Sequence, residues 1–305
     1  MSVAVARSRT TIIVLSYNRP QLLERALQSI AAQTCTPCDV LVIDNASSSS
    51  ARIRDLVAAF EGVRLIANPT NTGFTGGMNQ GLAAAEGEYV YLTEDDIELG
   101  SDCVATLIEY LERHPGTALA GPVMWNRRSS TIRCAGGSFT LGSVYQMCVG
   151  GEGQEELPDT APFETMYLPG AMIAARTHEL RELGGFRPDF FMYGEDVELC
   201  ARVLERGRAI AIVPAARVYH HEPPDQPESA ALSFHKQKNL AALYMLHAPL
   251  TVLPGFFARY ILVDGCRRLF RNWETLPTWA AAWTFALVRA PKFFTDRLRR
   301  SCATF

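Results

Sequence analysis

Hydrophobic and polar positions in the first third of the chain follow two alternating periods. Thr11–Leu15 (TIIVL) is an unbroken β-branched and aliphatic run, which predicts a strand buried on both faces. Asn18-Arg19-Pro20 breaks it, and Leu22, Leu23, Ala26, Leu27 and Ile30 then recur at helical spacing behind a proline suited to a first helical turn. Asp39–Ile43 predicts a second buried strand, Arg52–Phe60 a helix, Val63–Ile66 a third strand and Tyr89–Leu92 a fourth. Before the fourth strand lies a Gly/Asn-rich stretch, NPTNTGFTGGMNQG, read as a loop opening a helix at about Met78. Strand and helix in alternation, with strands of the buried type, predict an α/β fold built on one mostly parallel, Rossmann-like sheet flanked by helices. Ligands of such sheets bind beyond the carboxyl ends of the strands. Tyr17 and Asn18 follow the first strand, Asp44 the second, Asn68–Asn71 the third and Glu94-Asp95-Asp96 the fourth, so one edge gathers them all.

The acidic triplet is the candidate chemistry of that edge. Carboxylates this close raise each other's pKa unless a cation or hydrogen-bond donors sit among them. A hard divalent cation takes oxygen ligands and keeps substrate phosphates in its shell; an acidic turn facing solvent is the alternative. An aromatic ring, an acid able to accept an N–H, glycine-rich backbone and a cation site together describe a nucleoside-diphosphate pocket. Gly73, Gly76 and Gly77 have the wrong spacing for a dinucleotide fingerprint, and no P-loop pattern occurs.

The second half supplies a second acidic pair. Glu195 and Asp196 precede Val197, Leu199, Val203 and Leu204 at helical spacing, behind an aromatic turn, Phe190-Phe191-Met192-Tyr193, suited to walling a dry acceptor pocket. Acids at a helix start are also favoured by the dipole alone. Two adjacent histidines, His220 and His221, end a strand-like stretch, with nothing in the sequence to say which faces inward.

Charge and cysteines refine the picture. Nine basic against three acidic residues follow Leu250, leaving −9 on the remainder for a formal total of −3. Trp273, Trp279 and Trp283 are interleaved there with phenylalanines and arginines. Leu262, Val263, Cys266, Leu269 and Phe270 gather on one helical face, opposite Asp264, Arg267, Arg268 and Arg271. No apolar run reaches the length of a spanning helix, and basic, aromatic, amphipathic segments lie in the interface of an anionic bilayer. Packing on the catalytic domain or on a second copy, as a homodimer through the C-terminal helices, is the alternative. Lys236 and Lys238 are candidate phosphate contacts or a solvated basic face. Eight cysteines without framework spacing, and no signal-peptide pattern, lead us to expect a reducing cytoplasm. Cys35 and Cys38 are read as two free thiols in a turn. An acidic body without a recognised module argues against nucleic-acid binding.

Six segments carry a resemblance in chain order: TIIVLSYNRPQLLERALQSIAAQT, VLVIDNASSSS, NPTNTGFTGGMNQGL, YLTEDDIEL, GGFRPDFFMYGEDVELCARVLERG and VYHHE. Together they resemble glycosyltransferase family 2, and its rhamnosyltransferase-like bacterial members most of all, continuously from Thr11 to about His221. The resemblance implies a GT-A fold, in a catalytic domain over 1–228 (nucleotide-binding half 10–100, acceptor half 101–228) followed by a helical, amphipathic region over 229–305. It implies an inverting transfer from a nucleotide-diphosphate sugar, UDP- or dTDP-linked, to a glycan or lipid-linked acceptor. Tyr17 matches the residue stacking on the base, and Asp44 the acid reading a pyrimidine N–H. Asn71, Gly73 and Asn79 match a loop near the nucleotide, and Asn18 and Asp95 are grouped with them. Glu94, Asp96 and His220 match the residues that hold Mg²⁺ or Mn²⁺, with Glu94 standing where the family has aspartate. Asp196 matches the general base and Glu195 its helper. A nucleotide-sugar-forming nucleotidyltransferase and a non-catalytic sugar-nucleotide-binding relic are the competing readings. LSYNRPQLL is not the glycine-rich basic loop the first needs, and Asp96, Glu195 and Asp196 argue against the second.

Overall fold

The computed structural model describes residues 9–34, 38–221, 229–271 and 273–302. Cys35 of the paired cysteines, the 222–225 loop after the histidines and the first eight residues lie outside them. Strand β1 (Thr10–Ser16) is buried throughout and runs into helix α1 (Pro20–Ala31), which starts on its proline and turns Leu23, Ala26, Leu27 and Ile30 to the sheet. Then follow β2 (Cys38–Asp44), α2 (Ser50–Ala58), β3 (Val63–Ala67), α3 (Gly73–Ala84) and β4 (Tyr89–Glu94). A short β5 (Ile97–Leu99), α4 (Cys103–Arg113), β6 (Thr117–Asn126) and β7 (Ile132–Cys134) complete this part.

A hairpin of β8 (Gly137–Leu141) and β9 (Tyr145–Val149) forms a separate two-stranded sheet. Beyond it lie β10 (Phe163–Glu164), β11 (Met172–Arg176), α5 (Thr177–Glu182), α6 (Glu195–Glu205) and β12 (Ala209–His220). Helices α7 (Ala230–His247), α8 (Leu253–Ala258), α9 (Gly265–Arg271) and α10 (Leu276–Cys302) form the C-terminal helical segment, with α7 packed along α10.

The main sheet has the order β10-β12-β6-β11-β4-β1-β2-β3. Strands β1 to β4 are mutually parallel, and β11 lies antiparallel between β4 and β6. The chain winds outward from β1 in one direction to β2 and β3 and in the other to β4, so a crevice opens where the windings part. Register sets the floor of that crevice: Ser16 pairs with Asp44, and Leu15 with Glu94. Because β11 runs against β4 with Met172 opposite Thr93, the residues just before β11 lie beside Glu94.

The glycine-rich stretch departs from the sequence expectation. Helix α3 begins at Gly73 and not near Met78. Its glycines pack the helix against β1: a Cβ on Gly77 would come within 2.3 Å of Leu15, and one on Gly81 within 2.4 Å of Ile13. Glycine composition by itself suggests a loop, whereas here the glycines accept a cost in helix propensity for a very close helix–sheet approach.

Candidate active site

The edge of the crevice is tied together by side chains from every strand end. Asn45, buried after β2, accepts from the Thr72 amide (3.0 Å) and the Asn68 amide group (3.2 Å), and donates to Asn71 Oδ1 (3.1 Å) and the Gly73 carbonyl (3.0 Å). Asn71 Oδ1 also accepts from the Gly73 amide at 2.8 Å. Asn18, in the left-handed region at φ 59°, takes an amide from Ser48 and gives its own to Ser47 Oγ. These contacts hold Tyr17 at the lip with its ring 43% exposed, open to stacking. Asp44 is fully buried; Oδ1 accepts from the Ser47 amide at 3.0 Å, and Oδ2 is buried with no hydrogen-bond partner among the described residues. An orphaned buried carboxylate oxygen costs enough to predict a donor from a ligand, such as a base N–H.

The acidic triplet is divided by its surroundings. Asp95 Oδ2 accepts from Ser16 Oγ (2.8 Å) and the Tyr17 amide (3.1 Å), and its Oδ1 faces Arg19 Nε at 3.0 Å, so Asp95 ties the ends of β1 and β4 together. Arg19 Nη1 also reaches Asp96 Oδ2 at 2.5 Å. Burial pushes Asp95 up to about 7 against these donors, and pushes Glu94 up to about 8, helped by the Asp96 charge and opposed by Arg19. Burial would raise Asp96 too, but His220 and Arg19 hold it below the usual carboxylate range.

Pairing of His220 with Ile97 across β5 and β12 places the His220 ring 3.6 Å from Asp96 Oδ2. His221 turns away to Glu98 Oε1 at 2.6 Å, its amide donating to the Asp96 carbonyl. Register therefore selects His220, a choice the sequence left open. Among the described residues no three metal-ligating side chains converge. Asp96 and His220 nevertheless fit a cation that completes its shell from diphosphate oxygens, because Asp96 Oδ1 is buried with no hydrogen-bond partner among the described residues. Glu94, on which the Asp96 charge acts, reaches one cavity with His220 and also lines the wall of the main cleft.

That cleft has a volume of about 560 Å³ and is walled by Phe74, Glu94, Tyr145, Tyr167, Glu195 and Asp196 among others. A smaller cavity of about 240 Å³, reached by Glu94, Arg133, Tyr167 and His220, adjoins it. Asp196 opens α6: its Oδ1 accepts from the Val197 amide at 2.8 Å, and its Oδ2 from the Tyr167 hydroxyl at 2.8 Å. Burial raises its pKa, and these hydrogen bonds favour the ionised form against that rise. Glu195 is buried, and burial together with the neighbouring Asp196 charge pushes it well above the usual range.

The turn before α6 is strained. Phe191 and Tyr193 have φ of 64° and 66°, a conformation costing roughly 1–2 kcal/mol for each residue bearing a Cβ. The Phe191 carbonyl accepts from the Thr75 amide, and its backbone lies so close to α3 that a Cβ on Gly73 would come within 2.4 Å of Phe191 O. Gly73 is therefore the joint between the strand-end edge of the crevice and the turn before α6. Asn79 is engaged elsewhere, exchanging hydrogen bonds with the Phe186 backbone (2.6 and 2.8 Å) and so fastening α3 to the loop ahead of this turn. Sequence reading passed over Arg19, Asn45 and Tyr167. The Arg of LSYNRP sits within the first motif and was legible; Tyr167, nearly thirty positions before Asp196, carried no local signal.

The crevice lies at the switch point of a mostly parallel sheet with carboxylates beyond the strand ends, the place where α/β proteins of this architecture bind their ligands. A family model for glycosyl transferase family 2 matches residues 11–142, and one for glycosyl transferase family group 2 matches 89–289. The chain belongs to glycosyltransferase family 2 and is a glycosyltransferase, as its motif order anticipated. It is 26% identical over 251 residues to an N-acetylglucosaminyl-diphospho-decaprenol L-rhamnosyltransferase of Mycobacterium tuberculosis, covering 74% of this chain and 81% of that protein. The fold is GT-A. The chain superposes on GalNAc-T7 with UDP, GalNAc and Mn²⁺ at a TM-score of 0.64 and 15% identity, over 79% of its own length and 48% of the other's. It superposes on the mannosyltransferase PcManGT of Pyrobaculum calidifontis, in complex with GDP-Man and Mn²⁺, at 0.58 and 20% identity, over 96% and 80%.

Proposed function

We propose that this enzyme transfers a sugar from a UDP- or dTDP-linked donor to an acceptor hydroxyl with inversion, assisted by a divalent cation. The observation that carries the reading is Asp196, a carboxylate held by Tyr167 and the Val197 amide in the same cleft as Glu94. Tyr17 stacks on the base and Asp44 accepts its N–H through the oxygen left without a partner. Asp96 and His220 would hold the cation, which when bound would supply neutralisation of the charge on the departing diphosphate. Asp196 takes the proton of the acceptor hydroxyl as that oxygen attacks the anomeric carbon. The bond from that carbon to the phosphate oxygen breaks on the opposite face, and its electron pair leaves with the nucleoside diphosphate. Glu195, buried beside Asp196, orients the acceptor. The decaprenol-linked acceptor in the name of the mycobacterial relative supports a glycan or lipid-linked acceptor here.

The test is a nucleotide-sugar panel scored for transfer and hydrolysis with Mn²⁺, Mg²⁺ or chelator. Asp96→Ala should weaken Mn²⁺-dependent UDP binding about ten- to a hundred-fold by calorimetry, in line with losses at metal shells. Equal binding with and without metal, in both proteins, would sink the cation.

The reading extends to a peripheral position on an anionic membrane. No helix among the described residues is long and apolar enough to cross a bilayer. What supports surface binding is a cluster of exposed apolar residues among arginines, with Phe270 81% and Trp273 70% exposed beside Leu262, Val263 and Leu269. Replacing Leu262, Phe270 and Trp273 together by glutamate should reduce partitioning onto phosphatidylglycerol vesicles about ten-fold or more, since each side chain loses apolar burial and meets like charge. Unchanged partitioning overturns the proposal; loss of a dimer in sedimentation instead gives the face to a second copy.

A further inference from the structure

The strained turn over 189–194 turns most of its carbonyls toward α7, whose Lys236, Asn239, Leu240 and Leu243 also wall the cleft. There two adjacent side chains meet them. Lys238 Nζ donates to the Asp189 carbonyl (2.7 Å), the Phe190 carbonyl (3.1 Å) and Asn239 Oδ1 (2.5 Å), filling all three of its donor positions. Asn239 Nδ2 lies 2.9 Å from the Phe190 carbonyl, 2.8 Å from that of Met192 and 2.6 Å from that of Tyr193. Both side chains are buried, at 4% and 2% exposure, where an unmet donor or carbonyl is costly. The pair thus closes over four of the carbonyls of a turn that contains two left-handed aromatic residues and Gly194 at φ 83°. From α3 the Thr75 amide takes the Phe191 carbonyl, and His235, also on α7, stacks on the Phe191 ring at 4.7 Å. Lys238 also sits 5.4 Å over the Phe285 ring of α10, so the last long helix braces the lysine.

We propose that Lys238 and Asn239 are positioning residues: they hold the 189–194 turn in its left-handed conformation and thereby set where α6 presents Asp196. The proposal rests on the reading of Asp196 as the base. Asn239 lines the cleft, but the polar atoms of both side chains are taken up by the turn's carbonyls and by each other, so the effect of the pair on the reaction passes through geometry. The expected signature is a loss of turnover without a loss of donor affinity.

The test uses the full chain as Asn239→Asp, which keeps the shape but sets a carboxylate against carbonyls, and as Lys238→Met, which keeps the apolar stem. Steady-state kinetics use whichever nucleotide sugar the panel identifies, and UDP with Mn²⁺ is the binding probe. Hydrogen–deuterium exchange is followed on peptides spanning 187–197. The expected result is kcat lowered about a hundred-fold, the scale for a small misplacement of a reacting group. Donor KM and UDP affinity should stay within about three-fold, with faster exchange confined to that segment. Where Asn239→Asp yields no folded protein, Asn239→Ser, which keeps one donor in the same space, carries the same comparison. Turnover within two-fold of the parent, or equal loss of kcat and UDP affinity, overturns the proposal. Asp196→Asn run in parallel separates the two readings. Full activity in Asp196→Asn with loss in Asn239→Asp removes the base and leaves the clamp; the converse removes the clamp alone.

Discussion

Asp196→Asn is expected to lower kcat about a thousand-fold, within the range for removal of a positioned general base, while leaving donor KM and UDP binding nearly unchanged. The amide occupies the same space, with its single oxygen accepting from the Val197 amide and its NH2 donating to the Tyr167 hydroxyl oxygen, so the fold of α6 has no reason to change. What it cannot do is accept a proton. Asp196 must be ionised to act, and burial raises its pKa. The acid limb of kcat/KM in the parent enzyme therefore lies above the ordinary aspartate value of about 3.9. A variant that turns over normally would assign the base to another group.

Arg202→Met is expected to destabilise the protein by about 3–5 kcal/mol, the cost of leaving a buried charge without its partner. Glu198 is fully buried on the back of α6, with both oxygens on Arg202 Nε at 3.0 and 2.8 Å and His247 3.4 Å away. Arg202 also donates to the Leu183 carbonyl (2.5 Å) and the Gly185 carbonyl (2.7 Å), holding the loop that leads to the catalytic turn. Burial alone would raise Glu198, but Arg202 and His247 depress it to about 2. A depressed acid contributes stability that is present above its unfolded value near 4.5 and is lost as pH falls toward about 2. Denaturant titrations should find the parent losing stability over that window and the Glu198→Gln, Arg202→Met double variant losing less of it. Equal acid sensitivity in both would place the acid-labile contact elsewhere.

Much of the first half was legible because buried parallel strands are written as apolar runs that stop at polar residues. The runs TIIVL, VLVI and YVYL each end at the crevice, so Tyr17, Asp44 and the acidic triplet could be gathered on one edge before any distance was known. The hairpin of β8 and β9 was not anticipated, since short, half-exposed strands lack such runs, nor was the antiparallel direction of the buried β11, which no local pattern encodes. The glycine-rich stretch misled for a related reason: composition reports the absence of a side chain and not the neighbour that requires it. Gly73, Gly77 and Gly81 are explained only by Phe191, Leu15 and Ile13.

The sequence by itself determined the family, the succession of strands and helices in the first half and the residue types at the strand ends, because these follow from local periodicity and from motifs contiguous in the chain. Only the tertiary structure decided which histidine meets Asp96, that Arg19 lies against both aspartates, that Tyr167 holds Asp196 and that Lys238 and Asn239 brace the turn before it. Each of those depends on strand register or helix packing between segments far apart in sequence, and side-chain hydrogen bonds at such separations leave no periodic trace in the chain.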